Sequence, residues 1–265
     1  MIKFCPLASG SSGNSAYVCA GGTHILIDAG ISGKSIEAGL KELGLEGRQL
    51  SAILVTHEHS DHIVGVGVMS RRYELPVYAS PKTWRYFDRH GVIGAIKPHL
   101  ARHVEPEQKF EIGGLQAVAF DVPHDASQPV GYSIFAGGRK ITVVTDAGEA
   151  TCTIRNYISG SDIVMLESNH DSDMLKNGKY PLALKRRISG PYGHLSNKAA
   201  GMLLTETATE KLRYVFLGHL SEENNRPLVA FGTVEGILYN QGVLPQVNLQ
   251  MFIAQRYGVS TAVEL

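Results

Sequence analysis

Three histidines and an aspartate, all metal-capable, fall within the six positions His57-Glu58-His59-Ser60-Asp61-His62, directly after the apolar, β-forming run Ala52-Ile53-Leu54-Val55. Burying imidazoles and a carboxylate without partners costs on the order of several kcal/mol per group, so no core tolerates this cluster unless a bound dication removes the conflict. If the segment leaves its strand extended, alternate residues share one side. His57, His59 and Asp61 then aim together while His62 opens the following helix. Such an arrangement can feed two adjacent metal ions.

Length sets few limits: 265 residues suit one large layered domain, and no repeat, low-complexity run or Pro/Ser-rich linker suggests a boundary, so a single domain over 1–265 is expected. Hydrophobic content of 43% against 19% charged excludes a disordered chain. Lysine plus arginine equals aspartate plus glutamate, 25 each, so binding of a polyanion must come from local patches or metal. The three cysteines, Cys5, Cys19 and Cys152, show no Cys-x-x-Cys spacing. That argues against a disulfide framework or a thiolate zinc site and fits a reducing cytosol. No segment approaches ~20 uninterrupted apolar residues, and the start lacks a signal-peptide pattern; a cytoplasmic protein without a membrane span is expected.

Strands read at Ile2 to Ala8, Ala16 to Ala20 and His24 to Asp28, and shorter ones at Ile163 to Leu166 and Tyr214 to Leu217. A Val/Leu/Phe alternation near Val247 to Ile253 reads as a closing strand. Gly21-Gly22, Gly113-Gly114 and Gly137-Gly138 each sit between β-formers and predict three hairpins. Helical periodicity covers Gly33 to Leu43, Asp61 to Tyr73, Pro81 to His90, Ser196 to Thr207 and Arg226 to Asn240. The class is mixed α/β, and the pattern suggests two mixed sheets facing each other with helices outside.

Ionisable residues recur just past apolar strands: Asp28 after Ile25-Leu26-Ile27, Asp146 after Val143-Val144-Thr145, His219 after Phe216-Leu217-Gly218. Together they suggest one rim where strand ends build a site. His194, followed by Ser196 at a helix start, would put an imidazole, a hydroxyl and free backbone N–H groups together, a natural phosphate cradle.

The motif His57-x-His59-x-Asp61-His62, followed in order by His124, Asp146 and His219, resembles the metallo-β-lactamase fold superfamily. The resemblance spans essentially the whole chain and implies a four-layered αββα sandwich. It implies one metal ion on His57, His59 and His124, a second on Asp61, His62 and His219, and Asp146 bridging both. Asp28 matches the aspartate that ends the family's early strand and is expected to support a ligand histidine rather than bind metal. Nitrogen and oxygen donors without thiolate suit two divalent ions, Zn or Mn.

That superfamily hydrolyses lactams, thioesters and phosphodiesters, so substrate must be read elsewhere. His194 is similar to the His-Ser/Thr element of its nucleases, which implies contact with the scissile phosphate or protonation of the leaving oxygen. His170, in Glu167-Ser168-Asn169-His170-Asp171, is similar in position to the acidic motif of transfer-RNA 3′-processing enzymes and is a second catalytic candidate beside His194 and Asp61. With the loop Ser9-Gly10-Ser11-Ser12-Gly13-Asn14, these segments look like the small nucleases of the YycJ/WalJ type, implied to be 5′-to-3′ exonucleases acting on DNA. Ser11, Asn14, Ser196 and Asn197 are the candidate substrate contacts, although a plain hairpin loop explains residues 9–14 nearly as well. No cysteine falls where lactamases of this fold place a ligand, and the large insertion of β-CASP nucleases has no room. An RNA-processing or small-phosphodiester enzyme, a glyoxalase II-like thioesterase and a non-enzymatic nucleic-acid-binding subunit remain as alternatives. The runs Lys185-Arg186-Arg187 and Arg71-Arg72 could track a nucleic-acid backbone or simply be solvated faces.

Overall fold

The structure is a computed structural model that describes residues 2–243 and 249–265. The first half of the chain forms β1 (Ile2–Ala8), β2 (Ser15–Ala20), β3 (Thr23–Ile27), α1 (Gly33–Glu42), β4 (Ala52–Leu54), α2 (Ser60–Ile63), α3 (Val66–Tyr73), β5 (Val77–Ala79), α4 (Pro81–His90) and β6 (Ala101–His103). The second half begins with β7 (Lys109–Ile112), β8 (Leu115–Asp121), β9 (Val130–Ala136), β10 (Arg139–Val144) and α5 (Cys152–Ile158). It continues through β11 (Ile163–Glu167), α6 (Ser172–Asn177), α7 (Leu182–Ile188), α8 (Asn197–Thr207), β12 (Tyr214–Gly218), α9 (Pro227–Asn240) and β13 (Gln250–Ile253). The last strand, β14 (Val263–Glu264), returns to the first sheet.

The strands make two seven-stranded sheets, ordered β14-β1-β2-β3-β4-β5-β6 and β13-β12-β11-β10-β9-β8-β7. Both are mixed: β1 to β3 run antiparallel before β3, β4, β5 and β6 pair in parallel, and β7 to β10 run antiparallel before β10 to β13 pair in parallel. The alternation of side chains explains the layering. In β3, Ile25 and Ile27 enter the core between the sheets while Leu26 faces the other way, and in β11 Ile163 and Met165 do so while Val164 and Leu166 point out. A strand apolar on both faces must be covered on both, as parallel sheets require.

Three cores result. Phe4, Tyr132, Val143 and Phe216 fill the space between the sheets. Ile36, Leu40, Met69, Trp84 and Phe87 from α1, α3 and α4 cover the outer face of the first sheet, and Ile154, Leu203, Leu204, Val234 and Leu238 from α5, α8 and α9 cover the second. The architecture is the αββα sandwich expected from sequence.

The three Gly-Gly pairs do turn hairpins, β2–β3, β7–β8 and β9–β10. Gly21, Gly22, Gly137 and Gly138 all have positive φ, as a two-residue hairpin turn demands. The helix expected over Asp61 to Tyr73 is instead broken into α2 and α3. Gly65 stands at the break, where its N–H donates to the Ala29 carbonyl at 2.7 Å, and a Cβ there would come within 2.4 Å of the Ile31 carbonyl oxygen. The short helices α5, α6 and α7, each of seven residues or fewer, carry too little periodicity to be seen in sequence. The closing strand is realised over Gln250–Ile253; the Val247 end of that expectation lies outside the described residues.

Gly30 shows how tightly the first sheet grips the metal-capable loop. Its N–H donates to the Asn14 carbonyl (2.7 Å), Asn14 N–H donates to the Asp61 carbonyl (2.7 Å), and a Cβ on Gly30 would lie 1.7 Å from that same Asp61 oxygen. Gly30→Ala is therefore expected to lose about 3 kcal/mol or more in urea unfolding. Gly236→Ala, in α9 with open space around it, should gain about 0.5–1 kcal/mol. Equal effects at the two positions would contradict this account.

Candidate metal centre

The ends of six strands meet at one rim. Asp28 follows β3, the His57–His62 segment follows β4, His124 follows β8, Asp146 follows β10, Glu167 closes β11 and His219 follows β12. Asp28, Asp146 and His219 have φ of 59°, 55° and 52°. Non-glycine residues in this left-handed region are uncommon and cost on the order of 1–3 kcal/mol each, so the surrounding packing must enforce them. The turn at each strand end swings a polar side chain inward instead of continuing along the sheet.

The metal-capable atoms converge in overlapping groups: His57, His59 and His124; His57, His62 and Asp146; Asp61, His62 and His219. The first and last are the trios that the family resemblance assigns to separate ions, and Asp146 stands between them. Its Oδ1 lies 3.8 Å from His124 Nε2 and 3.5 Å from His219 Nε2, and its Oδ2 lies 3.1 Å from His62 Nε2.

Four of the imidazoles are held from behind. His62 Nδ1 donates to Asp28 Oδ2 (2.7 Å), His219 Nδ1 to Glu167 Oε1 (2.9 Å), His124 Nδ1 to the Gly193 carbonyl (3.1 Å) and His57 Nδ1 to Thr56 Oγ1 (3.0 Å). Asp28 is fully occupied in this task, because it also accepts from the Thr56 N–H (2.8 Å) and hydroxyl (2.9 Å). With these four Nδ1 atoms engaged, their Nε2 atoms turn inward, whereas His59 turns its Nδ1 in. His62 Nε2 faces Asp61 at 3.5 Å, His219 Nε2 faces it at 3.3 Å, and His57 Nε2 and His124 Nε2 lie 3.0 and 3.3 Å from His59 Nδ1.

Lone pair facing lone pair in a buried site is unfavourable unless a positive charge lies between. Asp146 Oδ2 sharpens the point: His62 is near, yet out of hydrogen-bond alignment, and the oxygen is buried without a donor. The donor set therefore fits divalent metal. Glu167 belongs to a different class, since Oε1 accepts from His194 Nδ1 (2.7 Å) and His219 Nδ1, and Oε2 from the N–H groups of Ala147 (2.9 Å) and Leu195 (3.1 Å). Its lone pairs are spent on orienting two histidines.

The same inward atoms are strong proton sites. Burial opposes charge on His62, but the carboxylates of Asp146 and Asp28 hold it well above its ordinary range. Burial likewise opposes charge on His219, and Asp146, Asp61 and Glu167 push it up to about 10. His57 goes the other way, held well below by burial and by the facing His62. Burial also lowers His124.

Several sequence candidates lie elsewhere. Asn14 is buried, its Oδ1 accepting from Gly10 N–H (2.9 Å) and its Nδ2 3.2 Å from His62 Nε2, so it braces the loop from below rather than facing outward. Ser11 is exposed on the same loop. Ser196 caps α8 by accepting from Ala199 N–H, while Asn197 is 1% exposed and paired with Ser168 and Asn225, which removes it from any substrate. His170 does not join the ligand cluster: it pairs through its backbone with Ser196, and its Nδ1 is buried without a partner. Arg71 is spent on the carbonyls of Ile93 and Ala95, and Arg72 on Glu37, so this run tracks no strand.

The orienting role of Glu167 goes beyond what the sequence pattern indicates for it. Its position at the end of an apolar strand, like that of Asp28, was the available signal.

A family model described as a beta-lactamase superfamily domain matches residues 23–217. The chain belongs to the metallo-β-lactamase superfamily. It is a hydrolase of that superfamily. Among its relatives, the exodeoxyribonuclease YycJ of Bacillus anthracis is 38% identical over 91% of this chain and 90% of its own length. The exodeoxyribonuclease WalJ of Streptococcus pneumoniae serotype 2 is 37% identical over 84% of this chain and 83% of its own. The fold is also that of zinc-bound PqqB from Methylobacterium extorquens, with a TM-score of 0.73 at 18% identity and full coverage of both chains. Among the described residues, no helix of this superfamily member is long and apolar enough to cross a membrane.

Two outcomes are expected. Because His62 and His219 are charged below their raised pKa values and bind metal only when neutral, uptake of Zn²⁺ or Mn²⁺ near pH 7 should release about two protons per chain and tighten as pH rises. Calorimetry in buffers of different ionisation enthalpy measures this, and uptake without proton release would remove both histidines from the ligand set. Glu167→Gln should lower metal affinity ~10–100-fold in chelator competition while the chain still unfolds cooperatively.

Proposed function

We propose that this chain is a dinuclear metal-dependent exodeoxyribonuclease that degrades DNA from the 5′ end. The observation that carries the reading is His194. It is tethered through Nδ1 to Glu167 at 2.7 Å, lies 3.7 Å from Asp146 Oδ1, and is partly open to solvent. Its Nε2 has no protein partner among the described residues, so it is available to a substrate oxygen next to the metal ligands. The similarity to two exodeoxyribonucleases over most of the chain supports the choice of DNA.

In this reading His57, His59 and His124 would hold one ion, Asp61, His62 and His219 would hold the other, and Asp146 would be a ligand common to the two sets. Zinc or manganese in that nitrogen and oxygen shell would supply Lewis acidity, acidifying a water nucleophile and neutralising phosphate charge. The protein's own part is positional. Asp28 and Glu167 keep the imidazoles in the tautomer that presents Nε2, and Glu167 stabilises a proton on His194 for delivery to the leaving oxygen.

The surface also favours a polyanion locally despite zero net charge. Lys82, Arg85 and Arg89 line one side of α4 at i, i+3 and i+7, are exposed, and have no carboxylate partner among the described residues. The rings of Tyr86 and His90 lie beside them, tilted 38° to each other with centroids 4.3 Å apart. Their shared cavity includes Ser127, whose N–H donates to Glu58 of the metal-binding segment at 2.6 Å. A cationic strip with aromatic surface leading to the centre suits a nucleic-acid strand better than a thioester or lactam.

The test is metal-loaded protein offered 5′- and 3′-labelled DNA, RNA, a thioester and a lactam. Mononucleotides released from the 5′ end of DNA, and none with Asp146→Ala, is the expected result. His194→Ala should keep its metal and lose ~10²-fold or more in turnover. Absence of nucleic-acid cleavage with either metal would overturn the reading, and loss of metal in His194→Ala would reassign that residue.

A further inference from the structure

His170 has a different surrounding from the residues it was grouped with. It lines a cavity of about 260 Å³ between α6 and α7, together with Leu175, Leu182, Lys176, Lys185 and Arg186. The residue is 3% exposed and its Nδ1 has no partner among the described residues. Asn224, whose carbonyl accepts the Asp171 N–H at 2.9 Å at the foot of α6, has a buried side-chain amide that also lacks any partner among the described residues. His170 lines the cavity, while its unpaired Nδ1 lies behind the wall, closed to solvent.

The walls define a ligand. Leu175 and Leu182 are apolar, and Leu182 is left 63% exposed although α7 as a whole buries none of its residues. Lys176, Lys185 and Arg186 have no carboxylate partner among the described residues; Lys185 Nζ donates only to the Lys176 carbonyl, at 2.8 Å. An apolar slot with His170 at its side and cations around it suits a flat heteroaromatic body carrying an anionic group. The volume falls below the roughly 300–1,000 Å³ of drug-sized ligand sites, which fits one nucleoside unit and not a longer piece of strand.

The cavity is wired to the metal centre from both sides. His170 lies three residues beyond Glu167, which orients His194 and His219. At the end of α7 the Ile188 carbonyl accepts the His194 N–H at 2.8 Å, and Arg187 pairs with Asp125 at 2.6 Å, itself 3.4 Å from His124 Nε2. We propose that the α6–α7 cavity binds one nucleoside 5′-monophosphate unit, with the base between Leu175 and Leu182 against His170 and the phosphate at Lys176, Lys185 and Arg186. It thereby seats the terminal nucleotide of the strand; that last step rests on the nuclease reading above, whereas the ligand chemistry of the cavity does not.

Equilibrium binding of dAMP and dTMP to the full chain, followed by calorimetry, tests it. The variant Leu182→Asp/Arg186→Glu changes two exposed side chains, so its fold should survive, and a matching unfolding curve verifies that. The expected result is saturable mononucleotide binding that weakens at least tenfold in this variant, weakens also in His170→Phe, and persists in Asp146→Ala. Binding that is unchanged in the cavity variants, that disappears in Asp146→Ala, or that never saturates would each overturn the proposal. Mononucleotide binding at the cavity in a chain that cleaves no nucleic acid would leave the proposal standing and remove the nuclease reading instead.

Discussion

Everything at the rim depends on carboxylates placed behind imidazoles. Asp28 and Glu167 each accept an Nδ1–H from a buried histidine, and by doing so they decide which nitrogen faces the centre. A free imidazole can present either nitrogen and rotate about two side-chain bonds; one anchored through Nδ1 to a buried acceptor presents Nε2 in one direction. The inward lone pairs then repel each other and the carboxylates of Asp61 and Asp146, and only positive charge, a metal ion or bound protons, reconciles them. Metal affinity is thus built from an electrostatic conflict that the fold holds in place.

Holding it requires a stiff frame. The three turns at Asp28, Asp146 and His219 all adopt left-handed backbone, which a loosely packed loop would relax. Here each turn follows a strand whose side chains are buried on both faces, and the three cores clamp those strands from inside and outside. Close backbone approaches finish the job: Gly30 against Asp61, and Gly193, where a Cβ would come within 2.2 Å of the Arg187 and Ile188 carbonyls. The sandwich spends its packing on fixing strand ends.

The periphery is built on the opposite principle. Helix α7 buries no residue and α6 buries only Leu175, yet both are joined to the centre through His194, Arg187 and the Glu167–His170 segment. A lightly packed element beside a rigid centre opens locally at low cost, and the nucleotide site proposed above lies between these two helices. Cationic side chains follow the same division: Arg71 and Arg72 serve the frame, whereas Lys82, Arg85, Arg89 and Arg186 remain free of ion pairs among the described residues.

Much of this was legible in the chain itself. Two-residue alternation and Gly-Gly turns were enough for a mixed α/β class and suggested two mixed sheets with helices outside, and the spacing of His57, His59, Asp61 and His62 pointed to a metal site, because these are local patterns. The order of His124, Asp146 and His219 carried the resemblance to the superfamily. What the tertiary structure decided were relations across long stretches of chain: that Glu167 turns His194 and His219 inward, that Gly193 orients His124 from 69 residues away, that Asn14 and Asn197 are braces, and that His170 lines a cavity of its own. Hydrogen-bond partners and free faces depend on which strand ends lie side by side. That adjacency arises only when distant apolar faces bury one another, and no local pattern encodes it.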